Sequence, residues 1–141
     1  MKDFEYYLAA KDVKKASPDK QLAISLVKDM EKRTADAMKL DAREFSKIVF
    51  ESVYDALRDF CDALLAIKGY KSYSHEGSIS FLAKNDFDIS FILALDNFRY
   101  KRNNSKYYAK NITFEDANSI LDFYNSNKSR INEALKKAGL K

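Results

Sequence analysis

At 141 residues, 46% hydrophobic and 33% charged, the chain has the size and composition of one globular domain, residues 1–141, able to bury roughly two-thirds of its unfolded surface. Three glycines and one proline are too few for a fold made of tight turns and sheet corners, which excludes an all-β architecture, and a lone cysteine excludes an internal disulfide. A net charge of +4 is too small for a protein that coats nucleic acid by general basicity.

The opening run MKDFEYYLAAKDVKK is broken by charge from its second residue, and no apolar stretch approaches membrane-spanning length. The expectation is a cytoplasmic protein without signal peptide or membrane contact, beginning with a short helix. Ser17 followed by Pro18 predicts a helix start, after which Leu22, Leu26, Val27, Met30 and Ala37 recur at helical spacing. The strongest periodicity covers residues 40–70. Phe45, Ile48, Val49, Ser52, Val53, Ala56, Leu57, Phe60, Cys61, Leu64 and Leu65 form one stripe, with Asp41 as the expected cap and Gly69 as the stop.

A short helix is predicted at SHEGSISFLAK, capped by Ser74, with Ile79, Leu82 and Ala83 inward. Asn85–Asp86 marks a break, and residues 86–103 read as another helix with Phe91, Leu95 and Phe98 inward. Thr113 and Asp116 approximate a capping box for a last helix whose stripe is Phe114, Ala117, Ile120, Leu121, Tyr124, Ile131, Ala134 and Leu135, ended by Gly139. No period-two alternation competes with these segments. The predicted fold is all-α: an antiparallel up-and-down bundle of four to five main helices plus short extra ones.

Catalytic signatures are sparse. The chain has no glycine-rich phosphate loop, no paired Cys or His spacing for zinc, and one histidine, so neither a metal nor a cofactor is expected. Cys61, inside an apolar stripe, reads as an inert core thiol. His75 reads as a surface or capping residue that the helix N-terminus keeps neutral.

Residues 98–110, FRYKRNNSKYYAK, stand apart. They hold Arg99, Lys101, Arg102, Lys106 and Lys110 with Tyr100, Tyr107 and Tyr108 and no acid, leaving the remainder of the chain close to neutral. The series Phe91, Leu95, Phe98 places Arg102 next on the inward stripe. It is either an arginine snorkelling at the bundle end, paired with Asp55 or Asp59, or a reader of phosphate through its planar fork. The tyrosines offer stacking or hydrogen-bonding surfaces. Asn103 and Asn104 are poor interior helix residues and predict that the helix ends or loosens there. In a continuous helix Arg102 and Tyr107 would point about 140° apart, whereas a break would let them converge.

At these residues the sequence resembles HEPN domains, small helical bundles marked by an arginine followed after four to six residues by a histidine, usually with a polar residue directly after the arginine. Arg102 matches the arginine and Asn103 the polar residue; Tyr107 or Tyr108 stands at the histidine position, an R-N-x-x-x-Y-type motif. GYKSYSHEGSISFL is similar to the linker and short helix before the motif helix, and RNNSKYYAKNITFEDANSILDFYNSNKSRI to the segment leading into the last helix. The resemblance spans about residues 20–137.

It implies a homodimer that binds RNA or nucleotide, with two functional branches. One branch is a metal-independent ribonuclease toxin, with Arg102, Tyr107 and Tyr108 catalytic. The other is a non-catalytic partner of a minimal nucleotidyltransferase in a toxin–antitoxin-type pair, in which Arg99, Lys101, Arg102, Asn103, Lys106, Tyr107 and Tyr108 bind nucleotide or RNA phosphate. The missing histidine favours the second. A tyrosine near pKa 10 is a poor proton acceptor at neutral pH, whereas histidine near 6.5 suits that work. A protein-interaction bundle whose basic stretch docks an acidic partner is the remaining alternative.

Overall fold

A computed structural model describes residues 1–141. Its elements in chain order are α1 (Phe4–Ala9), β1 (Val13–Lys15), α2 (Lys20–Met38), α3 (Ser46–Lys68), β2 (Tyr70–Ser72), α4 (His75–Ser80) running into a 3-10 turn (Phe81–Asn85), α5 (Ile89–Tyr108) and α6 (Phe114–Lys137). The fold is predominantly helical, a bundle of four long helices with two short ones, in agreement with the sequence reading.

Contacts between named residues give the helix directions. Asp19 N–H donates to the Ala66 carbonyl at one end of the α2/α3 pair, and Arg33 meets Asp59 further along, so these helices run antiparallel. Phe60 meets Phe87 just before α5, while Phe50 meets Phe98 and Asp55 meets Arg102, so α5 is antiparallel to α3. Arg130 reaches Asp88 at the start of α5 and Lys101 reaches Asp116 at the start of α6, which makes α5 and α6 antiparallel too.

Helix α3 is the axis of the core because its apolar residues cover more than one face. Val49, Phe50, Val53, Tyr54, Ala56, Leu57, Phe60, Cys61, Ala63, Leu64, Leu65 and Ala66 are all buried. A chain of phenylalanine rings ties α3, α5 and α6 together: Phe60–Phe87 (5.7 Å), Phe87–Phe91 (4.5 Å), Phe91–Phe123 (4.9 Å), Phe123–Phe98 (5.3 Å) and Phe98–Phe50 (6.0 Å). Tilted and edge-on pairs of this kind add to the area they bury. Cys61 lies fully inside, and burial pushes its thiol up, so it stays protonated and unreactive.

Several local expectations are corrected. Helix α2 is capped by Asp19, whose carboxylate accepts from Leu22 N–H at 3.0 Å, and not by Ser17, because residues 16–19 are tied back to the end of α3. Asp41 does not cap α3. Its side chain accepts from Arg43 N–H at 2.8 Å in a separate turn, and the helix begins at Ser46 without a side-chain cap. Leu22 and Ile48 are exposed at 48% and 54%, and Ala83 is also exposed, since these edges of the periodic stripes meet no neighbouring helix.

The helix predicted to loosen at Asn103–Asn104 continues to Tyr108, where Ala109 turns left-handed and ends it. Burial of Ser105 immediately beyond outweighs the few tenths of a kcal/mol by which asparagine disfavours a helix. The Ser74 cap, the Thr113–Asp116 capping box, the break at Asp86 and the stop at Gly139 form as expected.

The two-stranded antiparallel pairing, Val13 with Ser72, Lys14 with Lys71 and Lys15 with Tyr70, is an addition that the helical pattern hid. It matters for position. Strand β2 links the end of α3 to α4 and so sets where His75 lies. At Gly77 in α4 a Cβ would meet Val13 at 2.7 Å, so the close approach of β1 requires glycine.

Candidate anion-binding site

Three helices bring charged and aromatic side chains to one region. Helix α3 supplies Tyr54, Arg58 and Asp62 at four-residue spacing, with Asp55 beside them; α5 supplies Asp96, Arg99 and Arg102 at three-residue spacing; α4 supplies His75 and Glu76. These spacings place each set along one helix face.

Tyr54 is the centre. Its ring is buried, its hydroxyl lies 2.7 Å from His75 Nδ1, and the imidazole is parallel to the phenol ring within 4°. The Arg102 guanidinium carbon stands 5.5 Å from the Tyr54 ring centroid. The phenol is the better acid and the imidazole the better base, so we assign the bond as Tyr54 O–H donating to Nδ1, with the histidine proton on Nε2.

Most cations here are matched. Arg58 Nε donates to Asp62 at 3.1 Å, and Asp62 also accepts from the Ser78 hydroxyl at 2.8 Å. Arg99 Nε donates to Asp96 at 2.6 Å and its Nη1 lies 3.8 Å from Glu76. Arg102 differs. Its one ionic contact is Nη2 to Asp55 at 3.5 Å, and its Nε is buried with no partner. A guanidinium has five N–H donors, and this one leaves them largely unused.

No family model, curated protein or solved structure matches this chain. Assignment of the site therefore rests on its geometry.

Of the residues singled out in the sequence, Arg102 lies at this centre and Arg99 at its side. Lys101 is turned toward α6 and bonded to Asp116 at 2.9 Å. Asn103 is half-buried, and Lys106 is exposed and stacked over the Tyr107 ring at 5.7 Å. Tyr107 and Tyr108 are 67% and 72% exposed on a continuous helix, so the chain does not fold either of them onto Arg102. The side chains that do meet it, Tyr54 and Asp55, come from α3, and Tyr54 carries His75 with it. The signal available in the sequence was the Tyr54–Arg58–Asp62 spacing within an otherwise apolar helix. No set of three His, Cys, Asp or Glu side chains is placed to hold a metal ion.

Burial holds the His75 imidazolium down to about 4, with Arg58, Arg102, Arg99 and Lys106 adding repulsion. Burial also raises the Tyr54 phenol, so the pair is neutral at pH 7. On the far side of α3, burial lifts Asp59 to about 6 although Arg33 opposes it. The linkage signs differ. Between pH 6.5 and 4 the unfolded chain protonates its histidine before the folded chain does, so the His75 contribution is lost as pH falls. Asp59 holds a proton in the fold that the unfolded chain has released, so its contribution is lost as pH rises from about 4 to about 6. The two oppose. We predict that Asp59→Asn exposes the His75 component, a fall of about 1 kcal/mol after solvent screening as pH drops from 6.5 to 4. His75→Gln should expose the opposite slope. Urea denaturation across this range checks both, and equal slopes in the two variants would refute the assignment.

Proposed function

We propose that this chain binds the phosphate of a nucleotide or RNA at Arg102, as a HEPN-like bundle whose motif arginine is kept. The observation that carries the reading is the buried, under-bonded Arg102 guanidinium, whose Nε has no partner and whose Asp55 contact is long. A phosphate oxygen would supply the missing acceptor in bidentate geometry. Arg99 and Lys106 add positive potential, and the exposed Tyr107 and Tyr108 add stacking surface.

Arg102→Ala is expected to weaken binding of a short RNA about 10- to 100-fold, the value of a charge-assisted hydrogen bond. Asp55→Asn is expected to tighten it, because the competing carboxylate is removed. Salt titration should show affinity falling as ionic strength rises. Salt-independent binding, or binding indifferent to both substitutions, would return Arg102 to a purely structural role.

A second reading, metal-independent RNA cleavage, is favoured by one observation. The fold brings a histidine, His75 from α4, to the tyrosine that Arg102 covers. Neutral imidazole can accept a proton, although a value near 4 makes it a weak base. Cleavage in EDTA that is lost in both His75→Ala and Arg102→Ala would establish this reading, and cleavage unaffected by His75→Ala would remove it.

The homodimer belongs to the same proposal. Ile89, Leu93, Tyr100 and Tyr107 are exposed along one side of α5 and offer a face for a second copy, which a monomeric sedimentation profile at high concentration would exclude. A minimal nucleotidyltransferase partner and a cytoplasmic location are parts of the reading. No helix is long and apolar enough to cross a membrane.

A further inference from the structure

Two buried side-chain polar atoms lack a hydrogen-bond partner, Arg102 Nε and Ser105 Oγ. They lie three residues apart on α5, about 4.5 Å along its axis. Ser105 is 4% exposed, so water does not satisfy its hydroxyl freely. An unpaired polar atom at such depth is uncommon and calls for an explanation.

Ser105 lines a cavity of about 450 Å³ at the junction between α5 and α6, together with Lys47 from α3 and Lys110, Asn111 and Thr113 from the connecting loop. No acidic side chain lines it. The left-handed turn at Ala109 folds the loop back, and the N–H groups of Asn111 and Ile112 donate to no carbonyl or side chain of the protein. Asp116, the nearest acid in the first turn of α6, is engaged by Lys101 at 2.9 Å and by Thr113 N–H at 3.1 Å. The cavity thus offers two ammonium groups, a buried hydroxyl and free amides. This is the chemistry of a phosphate site.

We propose that this cavity is a second phosphate subsite, and that the ligand is a single nucleic-acid strand whose phosphates run along α5 from Arg102 to Ser105 and Lys110. The inference rests on the Arg102 reading and adds the substrate class. One phosphate cannot fill two positions separated along a helix, whereas a strand can, and Tyr107 and Tyr108 lie beside its path.

The test uses the full chain, inorganic phosphate, uridine monophosphate and a short polyuridine strand. Phosphate should shift the amide resonances of residues 109–113, and this shift should survive Arg102→Ala but vanish in the Lys47→Ala/Ser105→Ala double variant. Both substitutions are mild enough to leave the fold intact, one at an exposed lysine and one removing a single oxygen. The strand should bind at least tenfold more tightly than the monophosphate. Its log affinity against log salt should flatten by about 1.4 in Lys47→Ala/Lys110→Ala, about 0.7 for each lost phosphate contact.

Strand binding that depends on Arg102 but keeps its affinity and salt slope without the lysines would overturn the second subsite and leave the Arg102 reading standing. Phosphate shifts at residues 109–113 without preference for the strand would overturn the strand assignment. A strand that does not bind at all overturns both.

Discussion

Phe60→Ala is expected to lower the free energy of unfolding by about 3–5 kcal/mol, the usual cost of deleting a fully buried phenylalanine side chain. The loss has two parts, the transfer of the ring and the cavity left behind, and the second depends on how far the surroundings relax. Here they have little freedom. Phe60 begins the ring series that continues through Phe87 and Phe91 to Phe123, so collapse into the void would pull on α5 and α6 together. A domain of this size has about 5–15 kcal/mol of stability, so the variant forfeits a third or more of it. Phe60→Leu, which keeps most of the volume, should cost under about 1.5 kcal/mol. Urea denaturation of both variants with unchanged m-values is the measurement. A loss below about 1 kcal/mol for the alanine variant would mean that the three helices are not fastened through this ring.

Parts of this architecture were legible in the sequence because they are local. Residues three and four apart meet on a helix whatever surrounds it, so the stripes through Val53, Leu57 and Leu64, and through Ile120 and Tyr124, identify buried faces directly. Thr113 and Asp116 satisfy each other's backbone within one turn, and Asp86 and Gly139 occupy left-handed positions where a helix must stop. What the sequence hid depends on neighbours. Ile48 belongs to the same periodic stripe as Val49 and Val53, yet it is exposed because no helix crosses that edge of α3. Ser17, Asp19 and Asp41 are all plausible caps; the bond from Asp19 N–H to the Ala66 carbonyl favours one, and the turn at Arg43 removes another.

The candidate site shows the same division. Spacing alone placed Arg102 on the inward face of its helix, and Asp55 was one of two acids within reach of it. The link from Tyr54 to His75 crosses 21 residues and a β-pairing, and no periodicity announces it. Ser105 was equally silent. A serine in a basic, polar stretch reads as surface, and its burial is known only once α6 and the loop before it are in place.

Gly69→Ala carries that dependence into a measurable result, with an expected loss of about 2–5 kcal/mol. Gly69 ends α3 at φ +83°, a conformation that costs an L-residue about 1–2 kcal/mol. The new Cβ would also lie 2.9 Å from the Ala16 carbonyl oxygen, a backbone atom that cannot swing aside, and overpacking of that kind adds about 1–3 kcal/mol. Gly139 isolates the second contribution. Its φ is +76°, but a Cβ there would touch nothing within 4 Å, so Gly139→Ala should cost only the conformational part, about 1–2 kcal/mol. If the two variants lose the same stability, the clash with Ala16 is relieved at no cost and the argument fails.

The consequence reaches the site through the chain itself. The Ala16 amide donates to the Gly69 carbonyl at 2.9 Å, and the next residues of each segment form the β1–β2 pairing that leads into Ser74 and His75. Pushing residue 16 away from residue 69 loosens that pairing at its root. The His75 titration, followed by the NMR signal of its ring, should then rise from about 4 toward the ordinary 6.5 in Gly69→Ala and stay in place in Gly139→Ala. A glycine outside the site, at the end of the longest buried helix, would thereby set the protonation of the one histidine the chain possesses.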